Sequence, residues 1–260
     1  MSESNPLSLA GVYRRRVGAS LDRIWENVFD WEHLPALHEH SFDQVRLVSY
    51  VGDEQVVEID NAGGHTTVIR TVGDRVAHRY VVHTTEGKGT GSEVRVQLTP
   101  LEPHLTDVEV QYHVPEHRPE RLQRIGEAFV PFYARLWDED EEMMRARETR
   151  LRTRRGRPVA EPVCLGGVEE VEAALPSIVE VGGEPFRVIR AEGELLAHAA
   201  VCPHWLGPLD DTPVQDGAVR CPWHGWRFDV RSGAEVDGRP CRLPRPPAVS
   251  VEAGEVWLRP

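Results

Sequence analysis

Cys202-Pro203-His204 and Cys221-Pro222-Trp223-His224 form a C-x-H pair and a C-x-x-H pair separated by 16 residues. Two thiolates and two neutral imidazoles on paired loops can hold either a zinc ion or a [2Fe–2S] cluster. Far upstream, Asp30-Trp31-Glu32-His33-Leu34-Pro35-Ala36-Leu37-His38 spaces an acid and two histidines as D-x-x-H-x-x-x-x-H. Two histidines and a carboxylate suit an iron that must keep coordination sites open. In a chain with 12 histidines, a histidine pair beside a helix end is also common without a metal.

These residues need elements to position them. Leu9–Val17 reads as a strand, Ser20 as a helix N-cap, and Leu21, Ile24, Trp25 and Val28 as one helical face ending near Asp30. Six strands follow over Gln44–Val51, Gln55–Asn61, Thr66–Val72, Arg75–His83, Glu93–Leu98 and Leu105–Val114, with short Gly-Asp and Gly-Gly breaks suited to antiparallel hairpins. Gly87–Gly91 opens no helix and reads as a hairpin tip, not a dinucleotide loop. A long helix from Pro119 to about Leu151 closes an α+β unit over residues 1–151. An Arg- and Pro-rich linker is expected over 152–162. Residues 163–260 read as a small all-β domain with one brief helical pattern, Val168–Leu175.

The surroundings of the cysteines separate zinc from iron–sulfur. Gly207-Pro208-Leu209 after the first pair and Gly225-Trp226-Arg227-Phe228-Asp229 after the second resemble a Rieske [2Fe–2S] domain. That resemblance implies one iron on Cys202 and Cys221 and the other on His204 and His224, with a potential above that of all-cysteine clusters. Rieske proteins of respiratory complexes join the two cluster loops by a disulfide. The matching positions here are Gly207 and Trp223, which points to the lower-potential type that works with ferredoxins and oxygenases. Cys164 and Cys241 fall outside the motif and are expected to be buried or idle thiols.

The order of elements before the linker resembles the helix-grip, or START-like, fold. Together with the Rieske motif and the D-x-x-H-x-x-x-x-H spacing, it resembles a Rieske non-haem iron oxygenase. The resemblance implies a mononuclear Fe(II) on His33 and His38 and an electronic link from Asp30 to a Rieske histidine. It also implies a carboxylate ligand from the last helix. At about 100° per residue from Leu136, Asp140 falls within the apolar stripe of Leu122, Ile125, Phe129, Phe132, Leu136 and Met143. Glu139 falls on its edge and Asp138 points away. Asp140 is therefore the expected ligand; Pro131 can kink the helix, which keeps Glu139 in reserve. Two departures stand out: the Rieske domain comes second instead of first, and the catalytic domain is small for the family.

The expected function is a terminal oxygenase that oxidises, most simply hydroxylates, a small organic substrate with O2. No flavin or nicotinamide motif occurs, so electrons come from a separate NAD(P)H-dependent reductase, with or without a ferredoxin. The family assembly implies an oligomer, a trimer in the usual case, with Asp30 bridging to His204 or His224. The alternative is a ferredoxin-like carrier fused to a START-like ligand-binding domain without a second iron. A lyase or cyclase with a redox-sensing Rieske domain is a third reading.

Composition narrows the partners. The 42 acidic and 30 basic residues leave a net charge of −12, which argues against a general nucleic-acid or anionic-membrane surface. No apolar run approaches the roughly 18 residues of a membrane span. The first residues lack a secretory pattern, and the sequence after Arg14, Arg15 and Arg16 is too polar for a twin-arginine signal. Four cysteines do not make a disulfide scaffold, so a cytoplasmic chain with reduced thiols is expected.

Overall fold

In the computed structural model, residues 6–153 and 161–260 are described. Most of the expected linker and the first five residues lie outside that set. The chain divides into two compact units, Met1–Glu148 and Thr149–Pro260.

The first unit begins with β1 (Ser8–Val17), α1 (Leu21–Phe29) and the one-turn α2 (Leu34–Leu37). Six strands follow: β2 (Phe42–Val51), β3 (Glu54–Asn61), β4 (His65–Asp74), β5 (Arg79–Gly87), β6 (Glu93–Glu102) and β7 (Leu105–Val114). They pair antiparallel in the order β1-β7-β6-β5-β4-β3-β2. A long helix, α3 (Pro119–Thr153), completes the unit and carries its last turn into the second. This is the helix-grip, START-like α+β order expected from the sequence.

Alternation along the strands decides which face is buried. Val96 and Leu98 of β6 and Val108 and Val110 of β7 point into one core with Trp25, Phe29 and Tyr80. Phe129, Trp137 and Met144 of α3 close that core from the other side. Burial of such side chains contributes about 1.5–3 kcal/mol each. The helix crosses β1 at a glycine: a Cβ on Gly126 would lie 2.1 Å from the Ala10 carbonyl oxygen.

Polar contacts then fix the start of α1. Ser20 Oγ accepts from the Arg23 N–H, the N-cap expected from the sequence. The Gly18 N–H donates to Glu141 Oε1 at 2.9 Å, and the Ser20 N–H donates to Glu148 Oε2 at 3.0 Å. Arg147 Nε donates to Glu26 Oε2 at 2.9 Å. Acids and a base on α3 thereby hold the segment that leads to Asp30.

Two sequence expectations shift. The strand expected from Arg75 begins at Arg79, because Asp74 Oδ1 accepts the Ala77 N–H and turns the chain first. On α3, Phe132 is exposed, and Tyr133 and Trp137 take the inward positions. The buried face thus lies about one residue later than the apolar spacing suggested, toward Glu141 and Met144.

The second unit holds β8 (Val163–Gly167), α4 (Val168–Ala173), β9 (Ser177–Val181), β10 (Glu184–Ala191) and β11 (Glu194–Ala199). It continues with β12 (Val214–Gln215), β13 (Ala218–Arg220), β14 (Arg227–Asp229), β15 (Ala248–Glu252) and β16 (Glu255–Arg259). These form three three-stranded sheets, β11-β10-β9, β12-β13-β14 and β15-β16-β8. Val188, Leu209, Val219, Phe228, Leu243, Val256 and Leu258 are buried among them.

Candidate metal centres

The loop after β11 carries Cys202 and His204, and the loop between β13 and β14 carries Cys221 and His224. Each loop is closed by its own backbone. The Cys202 N–H donates to the Gly207 carbonyl and the Cys221 N–H to the Trp226 carbonyl, both at 2.8 Å. The two loops meet without room for a side chain: a Cβ on Gly207 would lie 2.6 Å from Cys221 Sγ and 3.2 Å from the Trp223 ring.

The four donors come together in this cradle. Cys202 and Cys221 are buried and hydrogen-bonded to each other, which pushes the Cys202 thiol up and the Cys221 thiol down. Backbone N–H groups of His204 and Trp205 point to the Cys202 sulfur, and those of Trp223 and His224 to the Cys221 sulfur. Such bonds favour thiolates. The imidazoles of His204 and His224 lie edge to face with centroids 4.6 Å apart, and both Nδ1 atoms are shielded from solvent. Trp226 stacks on His204 at 3.8 Å. Paired thiols with amide donors already aimed at them, beside two buried ring nitrogens, fit a [2Fe–2S] cluster. Cys164 is exposed and Cys241 half-buried, and both are free thiols.

A second cluster lies in the first unit. Helix α1 stops at Phe29, and after Asp30 the single turn of α2, with Pro35 in its first turn, has His33 and His38 as its two caps. Their rings lie 5.2 Å apart. One hundred residues later, α3 delivers Asp140, whose Oδ1 is 3.1 Å from His38 Nε2 and 3.4 Å from His33 Nε2. His33, His38 and Asp140 are all buried, and one donor atom from each lies within 4.8 Å of the other two. Metal–ligand bonds of about 2.1 Å at right angles would set neighbouring donors about 3.0 Å apart. The spacing suits an ion with a little inward movement.

The far nitrogen of each ring also faces a carboxylate. Asp30 Oδ2 is 3.4 Å from His33 Nδ1, and Glu139 Oε2 is 2.5 Å from His38 Nδ1. Acids in these places orient the rings and leave Nε2 for a metal. Burial alone would push the His33 imidazole down, but Asp140 and Asp30 raise it to about 10. Burial would raise Asp140, yet His33 and His38 hold it well below the usual carboxylate range. Tyr80 is buried and Tyr133 partly buried, close enough to feel the Asp140 charge; burial first, then a neighbouring tyrosine and that charge, pushes both phenols up.

The structure therefore gathers Cys202, His204, Cys221 and His224 in one place, and Asp30, His33, His38 and Asp140 in another. Glu139, held in reserve as a ligand, backs His38 instead. Asp138 is exposed and paired with Arg15, as its helical angle implied. His40 is exposed. Sequence reasoning missed Tyr80 and Tyr133 beside Asp140. It also missed Glu141, which the shift of about one residue brings into the buried face.

A Rieske [2Fe–2S] domain model matches residues 161–248. The ferredoxin subunit of anthranilate 1,2-dioxygenase from Burkholderia cepacia is 36% identical over 70 residues, covering 27% of this chain and 65% of that subunit. The ferredoxin component of the p-cumate 2,3-dioxygenase system from Pseudomonas putida is 33% identical over 92 residues, covering 35% of this chain and 73% of that protein. Among solved structures, the Zhui aromatase/cyclase from Streptomyces sp. R1128 aligns at 16% identity and a TM-score of 0.44, covering 56% of this chain and 97% of that one. Among the described residues, no helix is long and apolar enough to cross a membrane.

Proposed function

Because the chain belongs to the Rieske [2Fe–2S] proteins, with the family's domain at residues 161–248, we propose that it is the terminal oxygenase component of a Rieske non-haem iron system. The observation that carries this reading is the convergence of His33 Nε2 and His38 Nε2 on one buried oxygen of Asp140. When bound, the cluster supplies single electrons and the mononuclear Fe(II) supplies O2 activation. The remaining work falls to the chain. Cys202 and Cys221 hold one cluster iron, and His204 and His224 hold the other. His33, His38 and Asp140 would hold the mononuclear iron. Glu139 keeps His38 Nε2 turned inward, and Asp30 does the same for His33 and is the proposed electron bridge.

Electron transfer needs an outside source. A separate NAD(P)H-dependent reductase, with or without a ferredoxin, fits a chain that carries no nucleotide motif of its own. O2 and a small organic substrate complete the reaction, with hydroxylation the simplest outcome. A homo-oligomer, trimeric by family habit, and a cytoplasmic setting belong to the same proposal.

A second reading has its own support, since two of the matched relatives are ferredoxin components of dioxygenase systems. Under it the chain passes electrons onward and the first unit binds a ligand without iron. Nitric oxide added to the anaerobically reduced, iron-loaded protein separates the two. The oxygenase reading expects the high-spin signal of a ferrous nitrosyl outside the cluster, abolished by His33→Ala and retained in Cys202→Ser. An intact Rieske spectrum without that nitrosyl signal would establish the carrier reading instead.

A further inference from the structure

Arg150 makes two contacts that the cluster ligands alone do not explain. It lies in the last turn of α3, within the second unit. Its Nη1 donates to the Leu206 carbonyl at 2.6 Å. Its guanidinium carbon also stands 5.9 Å from the centre of the Trp223 ring. Leu206 belongs to the loop of Cys202 and His204, whereas Trp223 belongs to the loop of Cys221 and His224. One side chain thus touches both halves of the cluster cradle.

The positions it touches are the ones under constraint. Leu206 has a φ of +64°, a left-handed conformation that a residue with a Cβ rarely adopts. Its carbonyl is held by Arg150, and the next residue, Gly207, is the one pressed against Cys221 Sγ. Trp223, buried, forms the other wall of the Gly207 contact. A cation placed over an indole and bonded to a carbonyl therefore braces both sides of the seam between the loops. A basic residue at a helix C-terminus often just answers the helix dipole; contacts on two separate loops go beyond that.

The geometry points to Arg150 as a positioning residue of the Rieske centre, one that ties the two cluster loops together and sets a permanent positive charge beside the Cys221 side of the cluster. Reduction adds a negative charge to the cluster, so a nearby cation favours the reduced form. The inference rests on the cluster reading alone and is independent of a mononuclear iron.

The test compares wild-type protein with Arg150→Gln and Arg150→Lys, each carrying its cluster, by midpoint potential and by bleaching of visible absorption under a chelator. In Arg150→Gln the reduction equilibrium should fall about fivefold, or about 40 mV at 59 mV per decade for one electron, and bleaching should speed up about tenfold. Arg150→Lys keeps the charge and loses the planar fork. It should hold the wild-type potential within a factor of two and still bleach faster. Equal falls in potential in both variants would overturn the role of the charge. Wild-type potential and bleaching in Arg150→Gln would overturn the whole inference. If Arg150→Gln takes up no cluster, Arg150→Lys decides: fast bleaching supports the tie and wild-type bleaching refutes it. A wild-type chain without the Rieske absorption would overturn the cluster reading itself, and Arg150's role with it.

Discussion

The two candidate metal centres are built in opposite ways. The Rieske cradle takes its four donors from two loops of one small unit, each closed by its own backbone hydrogen bond. The His33–His38–Asp140 cluster takes two donors from the caps of a single turn and the third from a helix one hundred residues later. The first site is local, so tight loops and amide donors do the shaping. The second is long-range, and its geometry depends on how α3 lies against the rest of the sheet and on the acids that pin the start of α1. A local site tolerates disturbance elsewhere in the chain; a long-range site inherits every shift of its scaffold.

That contrast can be broken most severely at the ligands. Cys221→Ser should abolish the visible spectrum of the cluster and leave iron at the histidine cluster, as read by the nitrosyl signal. Loss of both signals would show that the two sites are not separately built. His38→Ala should do the reverse, removing the mononuclear iron and sparing the cluster.

A smaller effect is expected at the scaffold of the long-range site. Asp140→Asn in metal-free protein leaves the buried His33 with Asp30 as its remaining acid, which should cost about 1–3 kcal/mol in denaturant unfolding of the first unit. The Rieske spectrum of the iron-loaded variant should stay unchanged. Behind the ligands, Glu139→Gln should weaken Fe(II) binding by about 10- to 100-fold while the cluster potential stays put. An unchanged iron affinity would mean that the 2.5 Å contact to His38 does not orient the ring.

The finest distinction is protonic. In the metal-free protein His33 is raised to about 10, so at neutral pH it carries a proton that a metal must expel. Fe(II) binding should therefore release a proton near pH 7, and affinity should rise with pH until His33 loses its proton unaided near 10. Calorimetry in buffers of different ionisation enthalpy measures the release. No release would mean that the iron binds elsewhere.

The same local-versus-distant contrast explains what was legible in the sequence. Both cysteine–histidine pairs, the Gly207 approach and the missing loop disulfide could be read because a close-packed loop needs particular residues at fixed spacing. His33 and His38 could be paired for the same reason, being five residues apart on one turn. Asp140 was reached through the helical period, once the resemblance had implied a carboxylate on the last helix. That period was displaced at Phe132, which faces solvent while Tyr133 and Trp137 turn inward. A strip of α3 rich in both acids and aromatics has no sharp polar boundary, so spacing alone could not fix its rotation. Arg150 carried no signal at all, since a basic residue in an arginine-rich stretch looks like solvated surface until the Leu206 carbonyl and the Trp223 ring are found beside it.

Iron and acid-labile sulfide per chain test the central claim most directly, on protein purified and iron-loaded without oxygen. The account predicts three irons and two sulfides, falling to two irons and two sulfides in His33→Ala and His38→Ala. Two irons and two sulfides in the wild-type chain, unchanged by either substitution, would contradict it.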